Sequence, residues 1–158
     1  MRFEEAIKTS KFQSEIQKAH LHILFTAGWV RARIGNRLKP FGITSEQYNV
    51  LRILRGQATD SVRVMDISER MLERNSNTTR LIDRLIDKGL VNRLKATHDG
   101  RERAIQLTTE GSSLLQQIDK AWENGSPHSS LLTQEEAAML NHLLDRLREC
   151  DEEESAVI

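Results

Sequence analysis

The stretch from residue 74 to residue 111 restricts the fold more than any other part of the chain. Its apolar residues recur in pairs at the spacing of one face of an α-helix, and they are Leu81, Ile82, Leu85 and Ile86. Gly89 follows, and glycine readily adopts the left-handed conformation that ends a helix. The pattern therefore predicts a helix over 76–88 with one buried face and an abrupt end.

A charged ribbon is predicted directly after that helix. Leu90 and Val91 begin a short strand, and residues 104–107 form its expected partner, with a largely charged loop between them. The basic side chains between the two strands are Lys95, His98, Arg101 and Arg103. A polar-faced helix beside a charged two-stranded ribbon is typical of modules that read DNA, with the helix in the major groove and the loop over the backbone or minor groove.

The outer face of the predicted helix carries Asn77, Arg80 and Arg84, whereas Thr78 falls on the apolar side. An ordinary solvated helix face is the alternative interpretation, since Asp83 and Asp87 accompany the arginines there. The adjoining basic ribbon favours a role in DNA binding for both arginines.

The distribution of charge is compatible with a nucleic-acid partner even though the formal net charge is zero. Residues 74–103 carry eight basic and four acidic side chains, while residues 111–158 carry three basic and ten acidic ones. A neutral chain of this kind can present a basic face to phosphate and keep an acidic C-terminal end.

A long helix is predicted from about Lys11 to Leu38, with two neighbouring apolar stripes. The stripes are Phe12, Ile16, Ala19, Ile23, Ala27, Val30, Ile34 and Leu38, and Leu21, Leu24, Phe25 and Trp29. Such a helix is either a core helix or a core helix that also meets a partner subunit. The second interpretation is favoured, because a chain of 158 residues has few other elements to cover both stripes.

The remaining elements complete a winged helix-turn-helix. Thr44 begins a helix over 45–56, Val62–Val64 forms a short strand, and Asp66 caps a brief helix to Leu72. Two more helices follow, over 109–123 and from Thr133, the last with a stripe fit for a helix–helix seam. The predicted fold is mostly α with a small β wing. Its parts are N-terminal dimerisation helices (1–42), a DNA-binding domain (43–108), C-terminal dimerisation helices (109–150) and an acidic tail (151–158).

The sequence resembles the MarR family (multiple antibiotic resistance regulators) in four features that occur in order. They are the Thr79-Arg80-Leu-Ile-Asp-Arg-Leu-Ile-Asp helix, the Lys88-Gly-Leu-Val turn, the Asp99-Gly-Arg101 wing and the Leu107-Thr-Thr-Glu-Gly111 helix start. Each feature alone is common, but four in register are specific. Arg74 stands where many members have a small capping residue, so the cap of the recognition helix is expected at Asn75 or Ser76.

The resemblance implies a homodimeric DNA-binding regulator in which helix 76–88 is the recognition helix. The family contacts correspond to Ser76, Asn77, Thr78, Thr79, Arg80 and Arg84. The wing contact corresponds to Arg101, and Asp99 is similar to the carboxylate that orients it. Lys95, His98 and Arg103 are added from their charge and position. Members that sense peroxide use a cysteine near the N-terminal end, and here the single cysteine is Cys150, so thiol sensing of that kind is not expected.

A small-molecule effector is a further expected partner, and the side chains suggested for its pocket are His22, Trp29, Arg33 and Tyr48. Ordinary packing of an aromatic cluster is an equal interpretation of these four. His20 and His22 are two positions apart and face different sides of a helix, so they predict no metal site. No signature of an enzyme or a cofactor site occurs.

The resulting hypothesis is a cytoplasmic, homodimeric transcription regulator without cofactors. It binds double-stranded, pseudo-palindromic DNA and acts as a repressor that a small molecule releases, with no membrane contact. The alternative is a winged-helix module for protein–protein contacts, which would not need the wing arginines and the exposed Arg80 and Arg84 together.

Overall fold

A computed structural model of the chain describes residues 2–57, 61–73, 77–95, 103–123 and 132–155. It divides into two compact units, residues 1–127 and 128–158. The helices of the first unit are α1 (Phe3–Ile7), α2 (Glu15–Leu38), α3 (Ser45–Arg55), α4 (Val64–Arg70), α5 (Thr78–Asp87) and α6 (Thr109–Glu123). The second unit contains α7 (Gln134–Ser155). The predicted fold, mostly helical with a small wing, is confirmed.

Three short strands form one antiparallel sheet in the order β1-β3-β2. They are β1 (Val62–Arg63), β2 (Val91–Lys95) and β3 (Arg103–Leu107). Val91 is paired with Leu107 and Lys95 with Arg103, so β2 and β3 make the two sides of the wing. The predicted strands after α5 are therefore confirmed, and the short strand predicted around Val62 is their third member.

The core of the first unit lies between the sheet and helices α3 to α6. Fully buried side chains come from each of these elements, and they include Leu51, Ile67, Ile82, Leu85, Val91, Ile105, Leu115 and Ile118. Since burying one such side chain contributes about 1.5–3 kcal/mol, this shared core fixes α5 and the wing as one body.

The N-terminal segment folds back on the first turns of α2. Phe3 is buried and stacks on His22 with 4.4 Å between ring centroids, and Phe25 meets it edge-on. Helix α2 begins at Glu15, later than predicted, because the Ser14 hydroxyl accepts a hydrogen bond from the Gln17 amide and caps it there.

Most of the two apolar stripes on α2 stay uncovered within the single chain. Leu38 is buried and Ile34 packs on the core. Large apolar side chains nearer the N-terminal end of the helix are exposed: Ile16, Leu21, Leu24, Phe25, Trp29 and Val30. The simple core-helix interpretation is therefore wrong for this part of α2, since these side chains stay exposed in the single chain, although Phe25 also contacts Phe3 of α1.

The predicted cap of α4, Asp66, is wrong. Its N-cap is Arg63, and Asp66 lies in the first turn instead of before it. The Asp66 carboxylate accepts hydrogen bonds of 2.9 and 2.7 Å from the Arg63 guanidinium, which hold its pKa below the usual value. The error arose because an acidic residue favours both the N-cap and the first turn of a helix.

Helix α7 begins as predicted. The Thr133 amide donates to Glu136 at 2.8 Å and the Glu136 amide donates to the Thr133 hydroxyl at 3.2 Å, which is a capping box. Along the predicted seam Ala137, Leu144 and Leu147 are half-buried, and Leu140 is exposed. The helix continues to Ser155, so the predicted boundary at residue 150 is not a break in the backbone.

No helix in the described part of the chain combines the length and the apolar character that a membrane span requires.

Candidate nucleic-acid interface

Helix α5 begins with a side-chain cap from Asn77. The Asn77 side-chain oxygen accepts a hydrogen bond of 3.1 Å from the Arg80 amide, and the residue itself has a non-helical backbone. The expected cap at Asn75 or Ser76 is therefore wrong; both residues lie outside the described ranges. Because Asn77 is exposed, its amide nitrogen remains accessible beside the helix start.

The inner face of α5 is anchored by both apolar and polar contacts. Ile82 and Leu85 are fully buried, and Leu81 and Ile86 pack against the same core. Thr78 is also buried, with 5% of its surface exposed, and its hydroxyl donates to the Ser68 hydroxyl at 3.2 Å. Thr78 thus joins α5 to α4, which makes it unsuitable as a DNA contact.

The outer face of α5 presents two arginines to solvent. Thr79, Arg80 and Arg84 are exposed, as are Asp83 and Asp87. Among the described residues, no ion pair engages Arg80 or Arg84. Their guanidinium groups are accordingly available for a ligand, and their fixed forks suit bidentate hydrogen bonding to phosphate or guanine.

An ion pair neutralises one carboxylate of this face. Arg93 of β2 donates to the Asp83 carboxylate at 2.7 Å, which links the wing to α5. Sequence reasoning missed the role of Arg93. The signal that could have revealed it is strand alternation, because Arg93 stands two positions after Val91 and both side chains therefore lie on the same side of the strand. The pair leaves the face with more positive than negative character, as an approach to phosphate requires.

The wing is described only at its base. Lys95 is paired with Arg103, and this pair is the end of the ribbon that the structure describes. The predicted contacts Ser76, His98 and Arg101, and the orienting Asp99, lie outside the described residues. These assignments stay predictions.

The four suggested effector residues make their contacts at different places. His22 stacks on Phe3, and the Arg33 guanidinium lies 5.3 Å from the exposed Trp29 ring. Tyr48 packs 5.1 Å from Trp122, and partial burial raises the pKa of its hydroxyl. Seven residues, or about 10 Å of helix, separate His22 from Trp29. The effector pocket therefore stays a prediction.

The described residues contain no cluster of three or more His, Cys, Asp or Glu side chains suited to holding a metal ion. A surface groove of about 540 Å³ lies between the end of α5 and the start of α6 and is lined by Lys88, Asn92, Gln106 and their neighbours. None of the four suggested effector residues lines it.

Comparison with known proteins gives a consistent picture. The sequence model described as the MarR family matches residues 43–102. The multiple antibiotic resistance protein MarR of Escherichia coli (strain K12) is 31% identical over 113 residues, which are 70% of this chain and 76% of that protein. The HTH-type transcriptional regulator FarR of Neisseria gonorrhoeae is 26% identical over 138 residues, which are 83% and 93% of the two chains.

Solved structures extend the likeness to the fold. A mutant MarR from E. coli complexed with operator DNA superposes with a TM-score of 0.74 at 26% identity, over 87% of this chain and 99% of that one. A MarR transcription factor from Planctomyces limnophilus is 31% identical, with a TM-score of 0.63 and coverage of 89% and 99%.

Proposed function

The chain belongs to the MarR family of transcription regulators, and from that premise we propose that it is a homodimeric repressor released from a pseudo-palindromic operator by a small molecule. The observation that carries the proposal is the outer face of α5, where Arg80 and Arg84 are exposed and Arg93 neutralises Asp83. A regulator of this kind acts on chromosomal DNA, so the proposed location of the protein is the cytoplasm. Regulators of this family are not enzymes.

In the proposed complex α5 lies in the major groove. Asn77, Thr79, Arg80 and Arg84 are its contacts, since their side chains are exposed. A bidentate arginine–guanine pair supplies about 1–3 kcal/mol of discrimination between bases. Ser76, Lys95, His98, Arg101 and Arg103 complete the contacts, with the wing over the backbone or minor groove and Asp99 orienting Arg101.

A second copy of the chain is the proposed cover for the apolar face of α2. Leu24, with 71% of its surface exposed, and Trp29, with 55%, lie on that face. A dimer would hold two copies of α5 about one turn of DNA apart, roughly 34–36 Å, which is why the operator is expected to be a pseudo-palindrome.

Replacing Leu24 by glutamate should weaken the dimer at least a hundredfold, because burial of one leucine in each copy contributes about 1.5–3 kcal/mol and a buried charge adds a further cost. Sedimentation equilibrium measures the change. Met65→Glu is the matched control: Met65 is similarly exposed, at 68%, but lies on α4, so this variant should remain a dimer. Equal dissociation constants for both variants would contradict the assignment of the α2 face.

The link between wing and recognition helix gives another expected result. Arg93→Ala should lower operator affinity about tenfold, because it loosens β2 from α5 and leaves the Asp83 carboxylate facing phosphate. The double variant Arg93→Ala, Asp83→Asn should recover part of the affinity, since no uncompensated charge remains. Fluorescence anisotropy with a labelled operator measures both, and a double variant as weak as the single one would contradict this role.

Selection of genomic fragments by the purified protein tests the function itself. The expected result is enrichment of fragments that share an inverted repeat, and release of the best fragment by at least one compound in a screen. Retention of all fragments alike would contradict sequence-specific binding and favour the protein–protein module. Specific retention that no compound changes would remove the effector from the proposal.

A further inference from the structure

An ion pair joins the middle of α2 to the segment that leads into α5. The Arg31 Nε atom lies 2.6 Å from the Glu73 Oε1 atom. Glu73 stands four positions before Asn77, the cap of α5. This pair ties residue 73 to α2.

Residues 71 and 72 are held by the winged helix-turn-helix part of the chain. Met71 is buried, and the Leu72 amide donates to the Asn49 side chain of α3 at 3.0 Å. The Leu72 side chain is 87% exposed and contributes little anchoring. Glu73 therefore links these residues to α2, the helix that carries the uncovered apolar face.

The ion pair is better suited to positioning than to stabilising the fold. The Arg31 and Glu73 side chains are 56% and 41% exposed, and exposed ion pairs contribute little to folding free energy. Base reading is more demanding, because hydrogen bonds from a recognition helix require their donors to be held within about half an ångström.

We infer that Arg31 and Glu73 are positioning residues for operator reading, which fix the start of α5 relative to α2. The inference rests on the proposed function, because α2 is the helix proposed to meet the second copy. In the dimer the pair would then help to set the spacing and orientation of the two copies of α5 on the two half-sites.

The test compares two duplexes and four variants. One duplex is the genomic fragment that the wild-type protein retains most strongly, and the other has the same composition in scrambled order. The variants are Arg31→Gln, Glu73→Gln, the charge swap Arg31→Glu with Glu73→Arg, and the control Lys18→Gln. The control breaks the half-buried 2.7 Å pair between Lys18 of α2 and Glu4 of α1. The measured quantity is the ratio of the two affinities.

Each single variant is expected to lower this ratio about tenfold, the loss expected from one misplaced base contact. The charge swap is expected to recover most of it, and the control to leave it unchanged. A change in electrostatic field alone acts differently. It would raise both affinities together in Glu73→Gln and lower both together in Arg31→Gln, so that neither ratio changes.

Three results would overturn the inference. An unchanged ratio in both single variants removes the positioning role, and so does a charge swap that discriminates no better than the single variants. If the wild-type protein itself does not distinguish the two duplexes, the proposed function fails first, and the inference fails with it. Every variant is expected to have the melting temperature of the wild-type protein.

Discussion

Arg80→Ala is expected to abolish specific retention of operator DNA while leaving the fold intact. Arg80 is exposed on α5, and its backbone amide rather than its side chain takes part in the Asn77 cap. Truncation therefore removes no core contact. It does remove a bidentate donor that contributes about 1–3 kcal/mol at a base, and one cation facing the phosphates. Gel retardation with operator and scrambled duplexes measures the effect.

Arg37→Ala is the matched control for this variant. Arg37 is also exposed, but it lies near the end of α2, so its loss removes the same unit charge without touching α5. We expect a small reduction that is equal for both duplexes. Arg84→Ala should weaken operator binding as well, and its comparison with Arg80→Ala distinguishes base reading from phosphate contact. A specific shift that survives in Arg80→Ala would contradict the placement of α5 in the groove.

Gly111→Ala is expected to destabilise the fold strongly. A β-carbon at this position would collide with the Leu90 carbonyl oxygen and lie 2.8 Å from the Leu107 Cδ1 atom. Backbone cannot move aside cheaply, so we expect a loss of about 3 kcal/mol in the free energy of unfolding. For a chain of this size that corresponds to a fall in Tm of roughly 10 °C, which calorimetry measures.

Gly35→Ala provides the control for this substitution. Apart from the backbone of α2 itself, no atom lies within 4 Å of a β-carbon added at Gly35, which is near the end of that helix. Alanine is more favourable than glycine within a helix by about 0.5–1 kcal/mol, so stability should be unchanged or slightly raised. Equal melting temperatures for the two variants would show that α6 does not approach the turn after α5 as closely as described.

Local sequence signals predicted the winged helix-turn-helix part of the fold well. The apolar pairs of α5 repeat at helical spacing, and Gly89 adopts the left-handed conformation, with φ of 69°, that ends it. Thr108 caps α6 by accepting a hydrogen bond of 3.0 Å from the Gly111 amide. Such features depend on residues within a few positions of one another, so they can be read directly from the chain.

Contacts between distant residues could not be predicted in the same way. Asp83 pairs with Arg93 and Arg31 with Glu73, and neither pair has a periodic spacing that would reveal it. The cap at Asn77 was missed because three neighbouring residues, from Asn75 to Asn77, are all good caps. Periodicity showed that α2 has two apolar stripes, but it carries no information about what covers them.

The salt dependence of binding by the wild-type protein tests sequence-specific DNA recognition most directly. Affinities for the selected and the scrambled duplex are measured over a series of salt concentrations. Both should fall as salt rises, because each neutralised phosphate releases counterions, and the selected duplex should remain at least about a thousandfold tighter throughout. Two superimposed curves would contradict specific recognition by α5.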